Sequence, residues 1–446
     1  MKYYEQIVAD IKRNIQNNKY KPGDKLPSLM IMANQYQVSK GTVLKAYETL
    51  EKQCLIFSKP QSGYYIADGI RIQSNNHEGY HLETGNPLVN SHLFNEMKQC
   101  LNIAAELYSF KTLDLTVRGV DSLNEILPSY LQLDGIYTSE KNIYLIQGIM
   151  QMLTIFSNSP FPNGKNTILI EEPSYSFYIK YLKEMKLPVK VIKRDQYGID
   201  LKELERIFKY EKIKFFYTIP RHHNPLGTYY DHQTRKKIME LAIKYDVYII
   251  EDDYFSHYDP IPKYLPLYYF SNRDHCIYLR SYTKTIPFIR IGIAVVGDDF
   301  IETMDKMTKL SYYYSYHMPS LVSQATLEAY IRSDIYQFQS KTIAKEIQSK
   351  LKVIKKITKE WDNQIIELIG GKSGYYFTLK FSKKINSDLL VKQLEKEDIY
   401  VSTNHSSYYN YNNEQSIRLS ISRVTKAELE FVLKRIYQIA IKLYKS

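Results

Sequence analysis

The chain has 446 residues, of which 44% are hydrophobic and 24% charged, with a formal net charge of +12. This composition is ordinary for a folded globular protein and excludes a largely disordered chain, and the length predicts at least two domains. There is no apolar run long enough to cross a membrane and no apolar core of a secretory signal, so we expect a cytoplasmic protein without a membrane partner.

The positions of the charged residues, cysteines and histidines indicate where a polyanion could bind and whether a disulfide or a metal site is expected. The first 68 residues hold ten basic and six acidic side chains, so net positive charge is about three times denser there than in the rest of the chain. The three cysteines, Cys54, Cys100 and Cys276, lack metal-ligand or redox spacing, which favours small buried hydrophobes and no disulfide. The adjacent histidines His222 and His223 have no apparent third ligand, so no metal site is predicted.

The first 68 residues predict three short helices and a hairpin. Residues 4–16 have the apolar stripe of an amphipathic helix, and Pro27-Ser28 is typical of a cap before a second helix that runs towards Tyr36. Ser39 can cap a third helix, Lys40 to Lys52, and residues 54–67 alternate like a small hairpin. This order predicts a winged helix-turn-helix, whose third helix fits the DNA major groove.

The exposed start of the third helix carries the candidate DNA contacts. These residues are Ser39, Lys40, Gly41, Thr42 and Lys45, with Lys59 near the tip of the wing. The alternative for such a segment is a helical adaptor with a solvated basic face.

This segment resembles the GntR family of bacterial regulators. The shared motifs are KPGDKLPS (21–28), VSKGTVLKAYETL (38–50) and QSGYYI (61–66). The resemblance implies double-stranded operator DNA as the partner and adds Ser28, Ser62 and Gly63 to the DNA-binding residues. One position departs from the family: Met30 stands where relatives usually carry an arginine that contacts DNA.

Residues 69–79 are polar and aperiodic, and we interpret them as a linker to a second domain at 80–446. There, apolar strand-like runs such as 167–170, 214–219, 247–250 and 277–280 alternate with helical segments, which predicts an α/β domain with a mostly parallel sheet. The last part, roughly 321–446, predicts a smaller α+β lobe.

Lys284 is the central residue of the candidate ligand site, in SYTKTIPFIRIG (281–292). It follows a predicted strand, at the edge where open α/β sheets bind ligands. An amine there can form a Schiff base with an aldehyde cofactor, and Ser281 and Arg290 can bind a phosphate. A solitary lysine is more often a solvated surface charge, so the interpretation depends on the other motifs.

Four other motifs follow predicted strands in a fixed order. Asp252 in EDDY can hold a pyridine nitrogen, and Asn224 in HHNPLG can donate to a ring oxygen. Tyr175 in EEPSY can stack on a ring, and Gly148 stands where a loop becomes a helix, so that backbone N–H groups can receive a phosphate.

Taken together, residues 80–446 resemble the fold-type I (class I/II) aminotransferases. The resemblance implies pyridoxal 5′-phosphate bonded to Lys284, Asp252 on the pyridine nitrogen, and Arg418 on the carboxylate of a substrate or effector. It further implies cofactor contacts from Gly148, Ile149, Tyr175, Asn224, Tyr254, Ser281 and Arg290.

A GntR head on such a body resembles the MocR-type regulators, which include GabR-like and PdxR-like proteins. The resemblance implies a homodimer that senses an amine, an amino acid or pyridoxal phosphate itself and controls transcription, with activation favoured. The sequence leaves two alternatives open: a working class I/II aminotransferase with a DNA-binding appendage, and a regulator that has lost its cofactor. The recognition helix favours regulation, because a metabolic enzyme does not need one.

Overall fold

A computed structural model describes most of the chain. The described residues are 3–17, 19–52, 55–59, 62–67, 79–86, 100–108, 118–256, 264–286, 289–315, 318–333, 335–410 and 413–445. Packing divides the chain into two compact units, Met1–Glu78 and Gly79–Ser446. The predicted linker, except Gly79, lies outside the described residues, as does Cys54, and the predicted domain limits stay predictions. None of the described helices is long and apolar enough to span a membrane.

The N-terminal unit contains three helices and a two-stranded hairpin. They are α1 (Tyr3–Gln16), α2 (Leu29–Tyr36), α3 (Lys40–Lys52), β1 (Ile56–Lys59) and β2 (Gly63–Ile66). The apolar stripe of α1 packs against α3 in a small core that includes Ile7, Ile11 and Tyr47. Ser28 caps α2 by accepting a hydrogen bond from the amide of Ile31 at 3.3 Å. The structure therefore confirms the predicted winged helix-turn-helix.

The body is built on an eight-stranded sheet with the strand order β4-β11-β10-β9-β8-β5-β6-β7. The strands are β4 (Ile143–Ile146), β5 (Thr167–Glu172), β6 (Val189–Asp195), β7 (Gly198–Ile199), β8 (Ile213–Thr218), β9 (Tyr248–Asp253), β10 (Cys276–Ser281) and β11 (Gly292–Val295). The five strands from β10 to β6 are parallel, β11 is antiparallel to both neighbours, and β7 is antiparallel to β6. The predicted mostly parallel sheet is confirmed.

Helices cover both faces of this sheet. They are α4 (100–107), α5 (Asp121–Gln132), α6 (Ile149–Asn158), α7 (Ser176–Glu184), α8 (Leu201–Tyr210), α9 (His232–Lys244), α10 (Ile301–Ser315) and α11 (Leu321–Arg332). Strand residues alternate between the two cores: Leu169 and Phe216 face one, and Ile170 and Tyr217 face the other. The central strands are hydrophobic on both sides because both faces are buried.

A smaller lobe contains a four-stranded antiparallel sheet in the order β12-β13-β16-β15. Its elements are α12 (Ile335–Thr358), β12 (Ile366–Gly370), β13 (Tyr376–Phe381), α13 (Ser387–Glu395), β14 (Ile399–Tyr400), β15 (Ser402–Thr403), β16 (Ser416–Ser420) and α14 (Lys426–Lys445). A short strand, β3 (Tyr80–His81), pairs in parallel with β14, so the start of the body belongs to this lobe. The expected boundary near residue 321 stays a prediction, and Leu327 of α11 packs into the core of the large sheet.

Candidate functional site

The sequence-predicted ligand residues lie at one edge of the large sheet. Gly148 follows β4, Tyr175 follows β5, and Asn224 follows β8 by six residues, while Asp252 and Ser281 lie within the ends of β9 and β10. The strands β4, β5, β8, β9 and β10 point in the same direction, so their carboxyl ends lie at the same edge of the sheet. The fold therefore brings together residues that are up to 133 positions apart in the chain.

Asp252 is the most constrained side chain at this edge. It is buried, and its Oδ2 atom accepts a hydrogen bond from the Tyr217 hydroxyl at 2.7 Å. Its Oδ1 atom has no hydrogen-bond partner within the described part of the chain. Burial, with a further contribution from Asp253, raises the pKa of Asp252 to about 7, although the Tyr217 bond acts in the opposite direction. The edge therefore presents one buried oxygen that is ready to accept a donor.

The neighbouring carboxylate, Asp253, is paired. Arg221 donates to both of its oxygens, at 2.6 and 2.5 Å, and the Tyr278 hydroxyl donates to one of them at 2.7 Å. Although burial opposes ionisation, Arg221 lowers the pKa of Asp253. The two adjacent carboxylates thus have opposite electrostatic environments, and of these two only Asp252 has a buried oxygen without a hydrogen-bond partner among the described residues.

Lys284 is half-buried in the turn after β10. Its Nζ atom donates to Oδ1 of Asn86 at 2.5 Å. The Ser281 hydroxyl lies 3.0 Å from that of Thr283, whose amide also donates to it, and Arg290 is exposed. The structure thus places an amine, a hydroxyl and a guanidinium on one short segment.

The β-sheet register brings this segment beside the start of α6. Gly292 of β11 pairs with Ser281 on one side and with Ile146 of β4 on the other. A Cβ atom at Gly292 would lie 2.4 Å from the carbonyl oxygen of Arg280, so only glycine permits this close pairing. Gly148 is the N-cap of α6 and a Cβ atom there would meet open space, while Ile149 is the first helical residue. Free amides at a helix start suit a phosphate.

Arg418 reaches the same edge from β16 of the small lobe. One of its Nη atoms donates to the Asn224 side chain at 3.2 Å, and the other donates to the carbonyl of Glu83. Its guanidinium stands 5.0 Å from the ring centroid of Tyr376, and its buried Nε atom has no hydrogen-bond partner within the described residues. The arginine is therefore held in place with one donor to spare.

The turn that carries Asn224 rests on a buried ionic network. Arg194 donates to Glu171 at 2.6 Å, and the Nε2 atom of His223 lies 3.2 Å from the same carboxylate. Burial and Arg194 lower the pKa of His223 to about 4, so this histidine is neutral near pH 7. Despite burial, Arg194 and His223 lower the pKa of Glu171 to about 2. His223 thus has a structural role under the turn.

Two tyrosines, Tyr254 and Tyr175, also lie at this edge of the sheet. The Tyr254 hydroxyl donates to the carbonyl of His222 at 2.5 Å, and burial raises its pKa well above the usual value. Burial and the charge of Asp252 raise the pKa of Tyr175 to about 12. Both hydroxyls therefore stay protonated at neutral pH.

Sequence reasoning missed four residues of this site: Tyr217, Asn86, Glu83 and Tyr376. Tyr217 lies within the predicted strand 214–219, and Tyr376 lies in the run YYFTLKF (375–381), which also has the pattern of a strand. The sequence therefore predicted the strand at each position but not the group that the side chain contacts. Glu83 acts through its carbonyl, which every residue possesses, so its identity carries no signal.

A group of potential metal-binding side chains lies elsewhere. Asp274, His275 and Asp299 approach one another near the beginning of β10, at the opposite end of the strand from Ser281. His275 bonds to Asp246 at 2.9 Å and Asp299 accepts from Tyr248 at 2.6 Å, so protein groups already use this cluster. The expectation of no metal stays a prediction.

The N-terminal unit presents the predicted DNA contacts at its surface. Ser39, Lys40, Gly41 and Lys45 are exposed, Thr42 is half-buried, and the Ser39 hydroxyl accepts from the amide of Thr42 at 3.2 Å. The start of α3 is thus capped by a residue that also faces solvent.

The wing has its own cationic and aromatic face. Lys59 Nζ lies 4.6 Å from the ring centroid of Tyr65, whose hydroxyl is 2.6 Å from that of Ser62. Gly63 follows with a φ of +113°, a conformation that favours glycine at the start of β2. Met30, on the first turn of α2, is 57% exposed.

Comparisons with known proteins match both units. Residues 82–436 match the class I and II aminotransferase family, and residues 3–66 match the gntR family of bacterial regulatory proteins. The uncharacterized HTH-type transcriptional regulator YcxD of Bacillus subtilis is 31% identical over 96% of this chain and 98% of its own length. The HTH-type transcriptional regulator NorG of Staphylococcus aureus is 24% identical over 93% of this chain and 98% of its own length.

Solved structures support the fold of the body. Kynurenine aminotransferase of Pyrococcus horikoshii has a TM-score of 0.74 at 21% identity and covers 83% of this chain and 93% of its own. The multiple substrate aminotransferase of Thermococcus profundus has a TM-score of 0.74 at 19% identity over the same shares. Since the full-length relatives combine both units and are named as regulators, the chain belongs to the class I and II aminotransferase family in its body and to the gntR family in its head, and it is a MocR-type transcription regulator.

Proposed function

We propose that this regulator binds pyridoxal 5′-phosphate in its body and that an amine, an amino acid or the cofactor itself changes how its head binds operator DNA. The observation that carries the proposal is the buried Oδ1 atom of Asp252, which lacks a partner among the described residues and lies at the same edge as Lys284. A buried acceptor without a donor is costly, so a ligand that donates to it stabilises the fold.

The residues at the edge fit this cofactor group by group. Asp252 would accept a hydrogen bond from the ring nitrogen, the Lys284 amine would bond to the aldehyde, and Tyr175 would stack on the ring face. The phosphate would be held by Gly148, Ile149, Ser281 and Arg290, and the ring oxygen by Asn224 and Tyr254. When bound, the cofactor supplies an aldehyde that bonds to primary amines and a ring that withdraws electrons.

Asp252 and Tyr217 set the protonation at the ring position. The Tyr217 hydroxyl occupies Oδ2 and leaves Oδ1 for a ligand. With a pKa of about 7, the carboxyl exchanges a proton near neutral pH, and an incoming cationic donor favours its ionised form. A partner that donates to Oδ1 therefore increases the fraction of Asp252 that carries a negative charge beside the ring nitrogen.

Arg418 provides the carboxylate-binding group for an effector. Its guanidinium is oriented by Asn224 and by Tyr376, and a planar donor set of this kind binds carboxylates in two-point fashion. An amino acid carries both an amine for the aldehyde and a carboxylate for Arg418, so the site suits that class of effector. If the cofactor itself is the effector, Arg418 contributes little and Lys284 carries the response.

The head supplies the DNA contacts. The exposed lysines on α3 and the wing suit phosphates, and Ser39, Gly41 and Thr42 lie where the helix meets base edges. Ser28, Ser62 and Gly63 complete the proposed contact surface. We expect a homodimer that places two heads on two half-sites, and activation rather than repression as the outcome.

The experiment titrates the full-length protein with pyridoxal phosphate while its absorbance is recorded. We expect the band of a cofactor bonded through a lysine in the wild type and in Lys237→Ala, an exposed lysine of α9, but not in Lys284→Ala. A wild type without the band, or a Lys284→Ala variant that retains it, contradicts the assignment.

DNA binding is then measured with the fragment upstream of the protein's own gene, with and without cofactor and amino acids. The DNA affinity of the wild type should change when a ligand is added, while Arg418→Ala should still bind cofactor but lose the change in DNA affinity on addition of amino acids. A response that survives in both Lys284→Ala and Arg418→Ala shows that this site is not the sensor. Sustained conversion of an amino acid to its oxo acid with unchanged DNA affinity would favour the aminotransferase alternative.

A further inference from the structure

Residues 79–86, named the strap here, are the first residues of the body and follow the N-terminal unit directly in the chain. The first half of the strap is paired with the small lobe. The amide of Tyr80 donates to the carbonyl of Asp398 at 2.7 Å, that of Leu82 donates to Tyr400 at 2.9 Å, and the carbonyl of Leu82 accepts from Ser420 at 2.8 Å. The strap is therefore an ordered part of the fold.

The second half of the strap contacts the two groups that the proposed ligands need. The Asn86 side chain accepts from Nζ of Lys284 at 2.5 Å, and the carbonyl of Glu83 accepts from Arg418. Between them, Gly85 packs so closely that a Cβ atom there would lie 1.8 Å from the Tyr376 hydroxyl. One short segment thus holds both Lys284 and Arg418.

These contacts use the same atoms that a ligand would use. Lys284 cannot keep its ammonium hydrogen bond to Asn86 while its nitrogen bonds covalently to an aldehyde carbon. A carboxylate on Arg418 needs the guanidinium donors, one of which the Glu83 carbonyl occupies. Each ligand therefore replaces a charge-assisted hydrogen bond of the strap.

We propose that the strap competes with ligands for Lys284 and Arg418, and that a ligand which takes either group loosens residues 83–86 at the start of the body. Because the strap follows the connection to the head in the chain, its displacement shifts the point at which that connection ends. The inference rests on the proposed function, since it requires a ligand at this site, and it adds the route by which the body responds.

Two further contacts hold the strap without using the ligand-binding groups. The Ser422 hydroxyl donates to the carbonyl of Thr84 at 3.0 Å, and Nε of Arg423 donates to the carbonyl of Asn86 at 2.8 Å. These two hydrogen bonds are not displaced when a ligand binds, so they limit how far the strap can move. Removing either of them should loosen residues 83–86 without a ligand, as ligand binding does.

The first test is a matched pair of substitutions at Asn86, read by absorbance titration of the full-length protein with pyridoxal phosphate. Asn86→Ala removes the competitor, so we expect about threefold to tenfold tighter binding. Asn86→Asp is nearly isosteric but adds a charge that retains the Lys284 ammonium, so we expect roughly tenfold weaker binding. If both substitutions change the affinity for pyridoxal phosphate in the same direction and by the same factor, Asn86 has a merely structural role and the inference is overturned.

A second background separates competition from simple charge repulsion. In Lys284→Ala, where the proposed contact is absent, noncovalent binding of pyridoxal phosphate should be the same with and without the Asn86→Asp substitution. If Asn86→Asp still weakens binding there, its effect does not pass through Lys284 and the proposed competition is wrong.

The third test follows the strap itself by hydrogen–deuterium exchange of the full-length protein. Peptides that cover residues 79–86 should exchange faster after addition of pyridoxal phosphate, while peptides from α14 should not change. In Gly85→Ala, the added methyl group cannot fit against Tyr376, so residues 79–86 should exchange fast without any ligand. In Arg423→Ala, their exchange rate without ligand should lie between those of the wild type and Gly85→Ala. If the wild type binds cofactor and the strap keeps its exchange rate, only this inference falls. If the wild type binds no cofactor, the proposed function falls with it.

Discussion

The head and the body place their candidate functional side chains in opposite environments. On α3, Lys40 and Lys45 are exposed, whereas Val43 and Tyr47 of the same helix are buried in the core of the head. In the body, Asp252, Asn224 and Ser281 are buried at the sheet edge. The same chain therefore carries one candidate site made of solvated charges and one made of desolvated polar groups.

The difference follows from the two kinds of proposed ligand. DNA is a large polyanion that meets a protein surface, and lysines bind it by releasing counterions without prior desolvation. A small cofactor is recognised by a few fixed polar groups, which must be held by other buried groups before it arrives. Substitutions in the body should therefore change stability and pH dependence, and substitutions in the head should change affinity and salt dependence.

The largest expected effect concerns the ionic network under Asn224. Arg194→Met keeps much of the side-chain volume but leaves the Glu171 carboxylate without its cation in a site where both side chains are fully buried. We expect a loss of about 3–5 kcal/mol in the free energy of unfolding of the body. Urea denaturation of the full-length protein, followed by a signal from the body, measures this change.

The matched control is an exposed pair on α8. Arg206 and Glu203 form an ion pair of similar length, 2.7 Å, but their side chains are 50% and 41% exposed. Arg206→Met should therefore change the free energy of unfolding by less than about 0.5 kcal/mol. Similar losses in the two variants would contradict the contrast between buried and solvated charges.

The next effect is a gain in stability at the ligand site. The pKa of Asp252 is raised from 3.8 to about 7, so the folded state binds a proton that the unfolded state has released between these values. The contribution of this group to stability therefore falls as pH rises from about 4 to about 7. Asp252→Asn has no charge to bury, so it should be more stable than the wild type by about 2–4 kcal/mol at pH 8.

Denaturation at several pH values checks this prediction. The advantage of Asp252→Asn should shrink as pH falls from about 7 to about 4 and approach zero below pH 4, where the aspartic acid is protonated in both states. A constant difference across this range would mean that ionisation of Asp252 is not its source. The variant should also bind pyridoxal phosphate more weakly, which separates the stability of the edge from its proposed function.

Much of the fold was predictable because its signals are local. The apolar periodicity and the Ser39 cap predicted α3 with the observed limits, and hydrophobic runs predicted β5, β8, β9 and β10. The site order was also predictable, because residues after parallel strands must meet at one edge. The comparisons confirm the resemblance to GntR regulators and aminotransferases over nearly the whole chain.

The contacts within the site were not predictable in the same way. The Lys284 amine bonds to Asn86, 198 positions away, and Arg194 pairs with Glu171 on a neighbouring strand. Such pairs depend on strand register and on how the small lobe packs. Neither of these produces a pattern that can be recognised in a single sequence. Asp252 was predicted from its motif, but its Tyr217 partner required the register of β8 against β9.

A smaller effect is expected from the lysines of α3. Lys40→Ala and Lys45→Ala each remove one proposed phosphate contact, so each should reduce the slope of log affinity against log salt by about 0.9. Fluorescence anisotropy with the upstream DNA fragment measures the slope. Lys19→Ala, an exposed lysine outside α3, is the control and should retain the wild-type slope. Equal slopes in all four proteins would exclude this face as the DNA contact.

The smallest effect tests the position at which this head departs from its family. Met30 is 57% exposed on the first turn of α2, so Met30→Arg can be accommodated without repacking the core. If relatives use an arginine here to contact a phosphate, Met30→Arg should steepen the salt slope by about 0.9 and tighten binding by roughly threefold to tenfold at low salt. Met30→Gln, similar in length but neutral, should leave the slope unchanged. Because the substitution lies on a solvated surface, we expect a change in the free energy of unfolding of less than about 0.5 kcal/mol, in contrast to Arg194→Met. Equal salt slopes for Met30→Arg and Met30→Gln would mean that position 30 does not face DNA, and that the lost arginine is a neutral difference from the family.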